Sequence, residues 1–156
     1  MNKALFEILF KWIKEAGYQI DYNQFEISLI SHPDYNSLTS ITDTLNEYDI
    51  ENTAATIPFE AIGNLTEPYI AYIKQGYQEQ FALIIPTNNN AVKIYLSKNA
   101  VSDLSIAEFE KLWTGTIVAI EKLIPKKGLF QNKKWAVSFL WILFCSKIEK
   151  NNFKLL

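Results

Sequence analysis

Residues 79–121 read EQFALIIPTNNNAVKIYLSKNAVSDLSIAEFEKLWTGTIVAIE. Two short apolar runs, 80–86 and 92–96, flank Asn88, Asn89 and Asn90. Asparagine tolerates turn conformations, so the pattern predicts two strands joined as a hairpin. Ser105 has Glu108 three residues on, the spacing of a capping box, and a helical segment follows through Phe109. Trp113-Thr114-Gly115 ends it, and Thr116 to Ile120 reads as a last strand.

Upstream the periodicity changes to that of helices. Leu5, Ile8, Leu9, Trp12 and Ile13 recur at helical spacing, with Gly17 placed to stop the helix. The segment Gln19 to Ile30 is read as helix in preference to an extended stretch, because Asp21-Tyr22-Asn23 offers a cap. His32-Pro33-Asp34-Tyr35-Asn36-Ser37 breaks structure, and Ser37 caps a helix carrying Leu38, Ile41, Leu45 and Tyr48. Glu51 to Ile57 then reads as a strand, Phe59 to Leu65 as a short helix opened by Pro58, Tyr69 to Ile73 as a strand, and Gln75-Gly76-Tyr77 as a turn. Helices first and strands later make the fold class α+β, with N-terminal helices packed on an antiparallel sheet.

A chain of 156 residues suits one domain with a proper core and is short for two. Hydrophobic residues at 49% exclude intrinsic disorder, and 15 basic against 17 acidic side chains give no field for nucleic acid. One cysteine, Cys145, and one histidine, His32, argue against a disulfide framework and a metal site, and no cofactor is expected. Glu7 and Lys11 interrupt the N-terminal apolar patches, so no secretory signal is read there. The expected location is the cytoplasm or the cytoplasmic face of a membrane.

Five motifs in order resemble the bacteriocin-processing cysteine peptidases, a papain-like family that cuts double-glycine leader peptides. They are Ser37-Leu38, Pro68-Tyr69-Ile70-Ala71, Gln80-Phe81, Tyr95-Leu96-Ser97 and Phe109 to Gly115, within a resemblance that covers residues 1 to 121. The resemblance implies a papain-like fold, with a nucleophilic Cys on the first helix, near Ala4 or Leu5. It puts the base His at Gln80 and the orienting Asp at Leu96. The oxyanion Gln would fall before Met1. A thiolate, an imidazole, an orienting group and an oxyanion donor are what such a peptidase needs, and none stands at these positions. The amide of Gln80 takes up no proton and Leu96 has no carboxylate. The expectation is therefore a non-catalytic peptidase-like domain over 1–124.

Other candidates have ordinary readings. His32 and Cys145 as a rearranged dyad compete with a turn histidine and a core cysteine. Asp34, Asp43 and Glu47 lie near a helix start or on its polar face, where carboxylates are common. Tyr95 and Trp113, with Gln80, are candidates for lining a peptide groove, against the core role that aromatics more often fill.

The HPDYNSL stretch at 32–38 looks like the inactive peptidase-like domain that precedes vitamin K epoxide reductase-type modules in some bacterial membrane proteins. Residues 125–156 are read as an apolar, Lys-flanked C-terminal helix, a tail or a membrane-facing segment: Lys133-Lys134 precede WAVSFLWILFCS, with Lys147, Lys150 and Lys154 after it. Twelve residues rise roughly 18 Å as a helix, short of the ~20 residues that cross a bilayer. Membrane contact through Trp135 to Cys145 and packing on the chain's own domain or a dimer partner are both open. The functional expectation is a module that binds a peptide or a partner domain beside a membrane transport or disulfide-forming system. A structural or regulatory domain of a membrane protein is the alternative, and an active cysteine hydrolase the least favoured.

Overall fold

The computed structural model describes residues 3–87 and 90–121; the tail at 125–156, with Trp135 and Cys145, lies outside the described residues. Three helices come first: α1 (Ala4–Glu15), α2 (Tyr22–Ser31) and α3 (Leu38–Glu47). Strand β1 (Asn52–Thr56) and a 3-10 helix (Phe59–Asn64) lead to β2 (Tyr69–Gln75), β3 (Gln78–Thr87), β4 (Ala91–Tyr95) and β5 (Val101–Ser105). A short helix, α4 (Ile106–Glu110), precedes β6 (Trp113–Ile120).

Local chemistry explains the helix ends. Gly17, at φ +83°, follows α1; its N–H donates to Lys14 and the Tyr18 N–H to Ile13, which is the Schellman closure. Asp21 caps α2 by accepting from the Gln24 N–H at 2.8 Å. Ser37 and Ser40 exchange hydrogen bonds at the start of α3, and Ser105 and Glu108 do so at the start of α4.

All six strands form one antiparallel sheet in the order β1-β6-β2-β3-β4-β5. Strand alternation sorts the apolar residues onto two faces. Ile70, Phe81, Leu83, Val118 and Ile120 pack beneath the helices with Phe6, Leu9, Trp12, Phe25 and Leu45. Ala71, Ile73, Ala82, Ile84, Val92, Ile94 and Ile117 pack on the other face with Ile62 and Phe109. The Trp12 indole, fully buried, donates to the Pro68 carbonyl at 2.9 Å and ties α1 to the entry of β2.

Two features depart from the expectation. Strand β5 is absent from the sequence pattern; it is an edge strand, mostly exposed, so burial leaves no alternation in its sequence. Strand β6 starts at Trp113 rather than Thr116, because its register on β2 shifts: Ile117 opposes Ala71, yet Trp113 opposes Ile73. The irregularity holds Gly115 at φ +97°, a conformation that suits glycine.

Candidate functional site

A cleft of about 360 Å³ opens where three walls meet. Ala4 and Leu5, at the start of α1, form one; residues 78–81 form the second; the turn carrying Tyr35 and Asn36 closes the third, with Leu96 beside them. Its size lies near the lower end of small-ligand pockets.

Each wall is held from outside the cleft. Lys3 pairs with Glu26 and so ties the entry of α1 to α2. Glu7 accepts from the Lys98 N–H at 2.9 Å, which pins the turn after β4 against α1. That turn is closed by the Leu96 N–H to the Ala100 carbonyl and by the Ala100 N–H to the Ser97 hydroxyl. The result sets Leu96 next to the start of α1. In the third wall, His32 Nδ1 accepts from the Asp34 N–H at 3.1 Å, while Nε2 lies 3.4 Å from the Asp43 carboxylate. Asn36 then takes φ +69° before Ser37 begins α3. His32, Asp34 and Asp43 therefore brace a turn, the ordinary reading of those residues.

The electrostatics of the cleft are close to neutral. Its one carboxylate among the described residues, Glu79, bonds Lys74 at 2.8 Å and accepts from the Tyr72 hydroxyl at 3.3 Å. The Lys74 ammonium holds the Glu79 carboxyl below the usual range. Burial, helped by the Glu26 carboxylate, pushes the Tyr35 hydroxyl above the usual phenol range, so it stays neutral at physiological pH. Asn36, Gln78 and Gln80 also line it; Gln80 opposes Ile73 on β2, which faces away from the helices. Among the described residues no group of three or more His, Cys, Asp or Glu side chains is placed to hold a metal ion.

Of the residues singled out in sequence, Gln80 and Leu96 meet at the cleft, together with Ala4 and Leu5. Tyr95 and Trp113 do not line it. The Tyr95 ring lies under the Lys11 ammonium, 4.8 Å from its centroid, beside α1. Trp113 belongs to the opposite face, where it packs edge-on against Phe59 and Phe109 and donates to the Ile57 carbonyl. Strand register decides this: Trp113 opposes Ile73, which faces away from the helices. Tyr35, Asn36 and Gln78 line the cleft without having been singled out as cleft residues; the signals available were the break before Ser37 and the polar residues after Gly76. Cys145 lies outside the described residues.

A family model for the peptidase C39 family matches residues 13–123. The chain belongs to the peptidase C39 family. The match starts within α1 and does not reach Ala4, so the place of the helix start in this C39 chain rests on the cleft geometry. Among solved structures, the peptidase domain of Streptococcus ComA, a bifunctional ABC transporter involved in a quorum sensing pathway, is 18% identical with a TM-score of 0.58. That likeness covers 72% of this chain and 86% of the other. A double glycine motif protease from an AMS/PCAT transporter, solved in complex with its leader peptide, is 14% identical with a TM-score of 0.56, over 70% and 77% of the two chains. At these identities the likeness establishes the papain-like C39 fold. No curated protein gives a significant match. Among the described residues no helix is long and apolar enough to cross a membrane.

Proposed function

We propose that this chain is a non-catalytic C39 module whose cleft binds a peptide, and that it works on the cytoplasmic side of a bacterial membrane transport or disulfide-forming system. One observation carries the reading: the positions that the resemblance gives to nucleophile, base and orienting group converge on one cleft, as Ala4 or Leu5, Gln80 and Leu96. An alanine methyl and a leucine side chain have no nucleophilic atom, and a carboxamide does not accept a proton near neutral pH. The cleft nevertheless stays open, with amide groups on its walls suited to a peptide main chain. The AMS/PCAT protease was solved in complex with a leader peptide, which supports peptide binding as the part of the activity that this chain keeps. The Lys-flanked apolar run at 135–145 supports a place at a membrane surface.

Titration with a leader-like double-glycine peptide tests the reading. Binding is expected to the chain as it stands and to be weakened in Ala4→Leu, which adds three carbons to one wall of the cleft. Binding unchanged in that variant removes the cleft from the proposal. Cleavage of the peptide that vanishes in Cys145→Ala would instead establish a hydrolase with a relocated nucleophile. Fractionation tests the membrane part: a monomer that needs no detergent, with its tail protected from protease, counts against it.

A further inference from the structure

Strand β1 ends the sheet, with β6 on one side and no strand of the described residues on the other. Register decides which of its main-chain groups face outward. The Glu121 N–H donates to the Glu51 carbonyl and the Ile57 N–H to the Gly115 carbonyl, both at 2.9 Å. Bonded positions alternate along an antiparallel pair, so Thr53 and Ala55 are the residues of β1 that bond β6. Asn52, Ala54 and Thr56 turn their N–H and carbonyl groups away from the sheet, and no other main-chain group among the described residues takes them.

An edge that must stay unpaired usually carries a charge, a proline, a bulge or a covering element. The opposite edge has such guards. On β5 the alternation is fixed by the Leu96 N–H on the Ala100 carbonyl and the Ile106 N–H on the Asn90 carbonyl, so Val101, Asp103 and Ser105 face outward. Glu108 accepts the Ser105 N–H at 2.9 Å, and the exposed Asp103 stands at the centre. A second copy paired there would set one Asp103 carboxylate opposite another, which is unfavourable. Strand β1 reads Asn-Thr-Ala-Ala-Thr, without charge or proline and in unbroken register with β6.

We infer that this chain forms a two-fold dimer through antiparallel pairing of β1 with β1 of a second copy, joining two six-stranded sheets into one. The inference is independent of the peptide-binding reading above. A closed dimer needs a two-fold axis, and strands so related run antiparallel. Only the outward residues can bond, and Ala54 is the middle one, so the axis falls there. The two Ala54 residues exchange two hydrogen bonds, and Asn52 of each copy pairs with Thr56 of the other. Thr53 opposes Ala55, and both side chains are small. Glu51 falls opposite Ile57, so the two Glu51 residues lie roughly 20 Å apart, beyond the screening length of about 8 Å in physiological salt. In the sheet β6 and β2 stand between β1 and β3, which keeps the pairing edge away from the cleft wall at 78–81.

Sedimentation equilibrium of the full chain tests the dimer, with a mass expected to double as concentration rises from about 5 μM to about 500 μM. Ala54→Pro removes the central outward N–H, a change tolerated where that group faces away from the ladder, and is expected to weaken association about tenfold or more. Asp103→Pro, the same change on the β5 edge, is expected to leave association as it was. Mixing Thr53→Cys with Ala55→Cys, each in a Cys145→Ala background and with oxidised glutathione as oxidant, reads the register. Opposed residues of a non-bonded pair have Cα atoms about 4.5 Å apart, within disulfide reach, so the mixture is expected to cross-link far faster than either variant alone. A monomer at every concentration overturns the inference, as does association that survives Ala54→Pro or falls equally in Asp103→Pro. Cross-linking as fast in either variant alone as in the mixture overturns the axis at Ala54. The mixture keeps residue 54 unsubstituted, so it decides the matter even where Ala54→Pro fails to fold.

Discussion

Replacing Gly115 with alanine tests whether backbone conformation at the β6 irregularity holds the sheet together. The residue sits at φ +97°, and a Cβ there would lie 3.3 Å from Thr56 Cγ2 and 3.5 Å from the Ile57 carbonyl oxygen. The second distance is ordinary contact. The first asks Thr56 to move by a few tenths of an ångström, which an exposed side chain does at little cost. The conformational term therefore dominates, at about 1–3 kcal/mol for a residue forced into so sparse a region. At about 4 °C per kcal/mol for a domain of this size, Gly115→Ala lowers the thermal midpoint by roughly 8 °C. Gly63 supplies the control, having no positive φ and nothing within 4 Å of the place a Cβ would take; Gly63→Ala is expected to be neutral or to stabilise by about 0.4–1 kcal/mol. Gly76→Ala, at φ +63° with open space around it, falls between them. Thermal and urea unfolding followed by circular dichroism ranks the three. If Gly115→Ala unfolds with Gly63→Ala, the reasoning from φ is refuted.

Thr44 is 2% exposed and its hydroxyl has no hydrogen-bond partner among the described residues; Thr44→Val removes that unsatisfied group and should stabilise by about 1 kcal/mol in urea unfolding. Trp12→Phe removes both buried volume and the donor to the Pro68 carbonyl, and a loss of about 2–4 kcal/mol is expected in the same assay. Glu79 and Glu108 have carboxyls held below the usual range, the first by Lys74 and the second by the Ser105 hydroxyl and N–H. Depressed carboxylates add stability above the unfolded value of about 4.3 and lose it as pH falls through the folded one. The thermal midpoint of the double variant Glu79→Gln, Glu108→Gln should therefore fall less steeply than that of the unmodified chain between about pH 5 and pH 3.

The legible parts of the fold were those where one segment decides its own conformation. Ser37, Ser105 and Gly17 marked helix ends because capping is local, and α1 showed its buried face at helical spacing. Strand β5 was illegible because pairing with β4, not burial, makes it a strand: only Leu104 among its residues is even half-buried. The junction of β1 with β6 was equally hidden, since Asn52 and Ile120 meet from distant parts of the chain. At the cleft, resemblance located Gln80 and Leu96, whereas Tyr35 and Asn36 arrive through a turn whose direction depends on His32 and on the positive φ of Asn36. Trp113 carried a motif signal, but its facing is set by register on β2, which no local pattern encodes.

The braces around the cleft are independent of the positions that the resemblance gives to the catalytic groups. Lys3 with Glu26, Glu7 with the Lys98 N–H, His32 with the Asp34 N–H and the Gly76 turn position the walls, and none of these contacts uses the side chain of residue 4, 80 or 96. Exchanges at those three positions should thus leave the frame in place, so a thiol and an imidazole can be introduced there. In a Cys145→Ala background, Ala4→Cys installs a thiol whose ordinary pKa is about 8.5, leaving about 1% thiolate at pH 6.5. Adding Gln80→His tests whether a side chain at 80 reaches that thiol: a pKa lowered by about two units would leave half the thiol ionised, and the accompanying fall in nucleophilicity would reduce the roughly fiftyfold gain to about sixfold. Reaction with an aromatic disulfide, followed from pH 5 to 9, reads this directly. If the thiol's reactivity and pH profile are the same with Gln80 as with its histidine replacement, residues 4 and 80 do not face one another, and the assignment of this cleft to the family's catalytic positions fails.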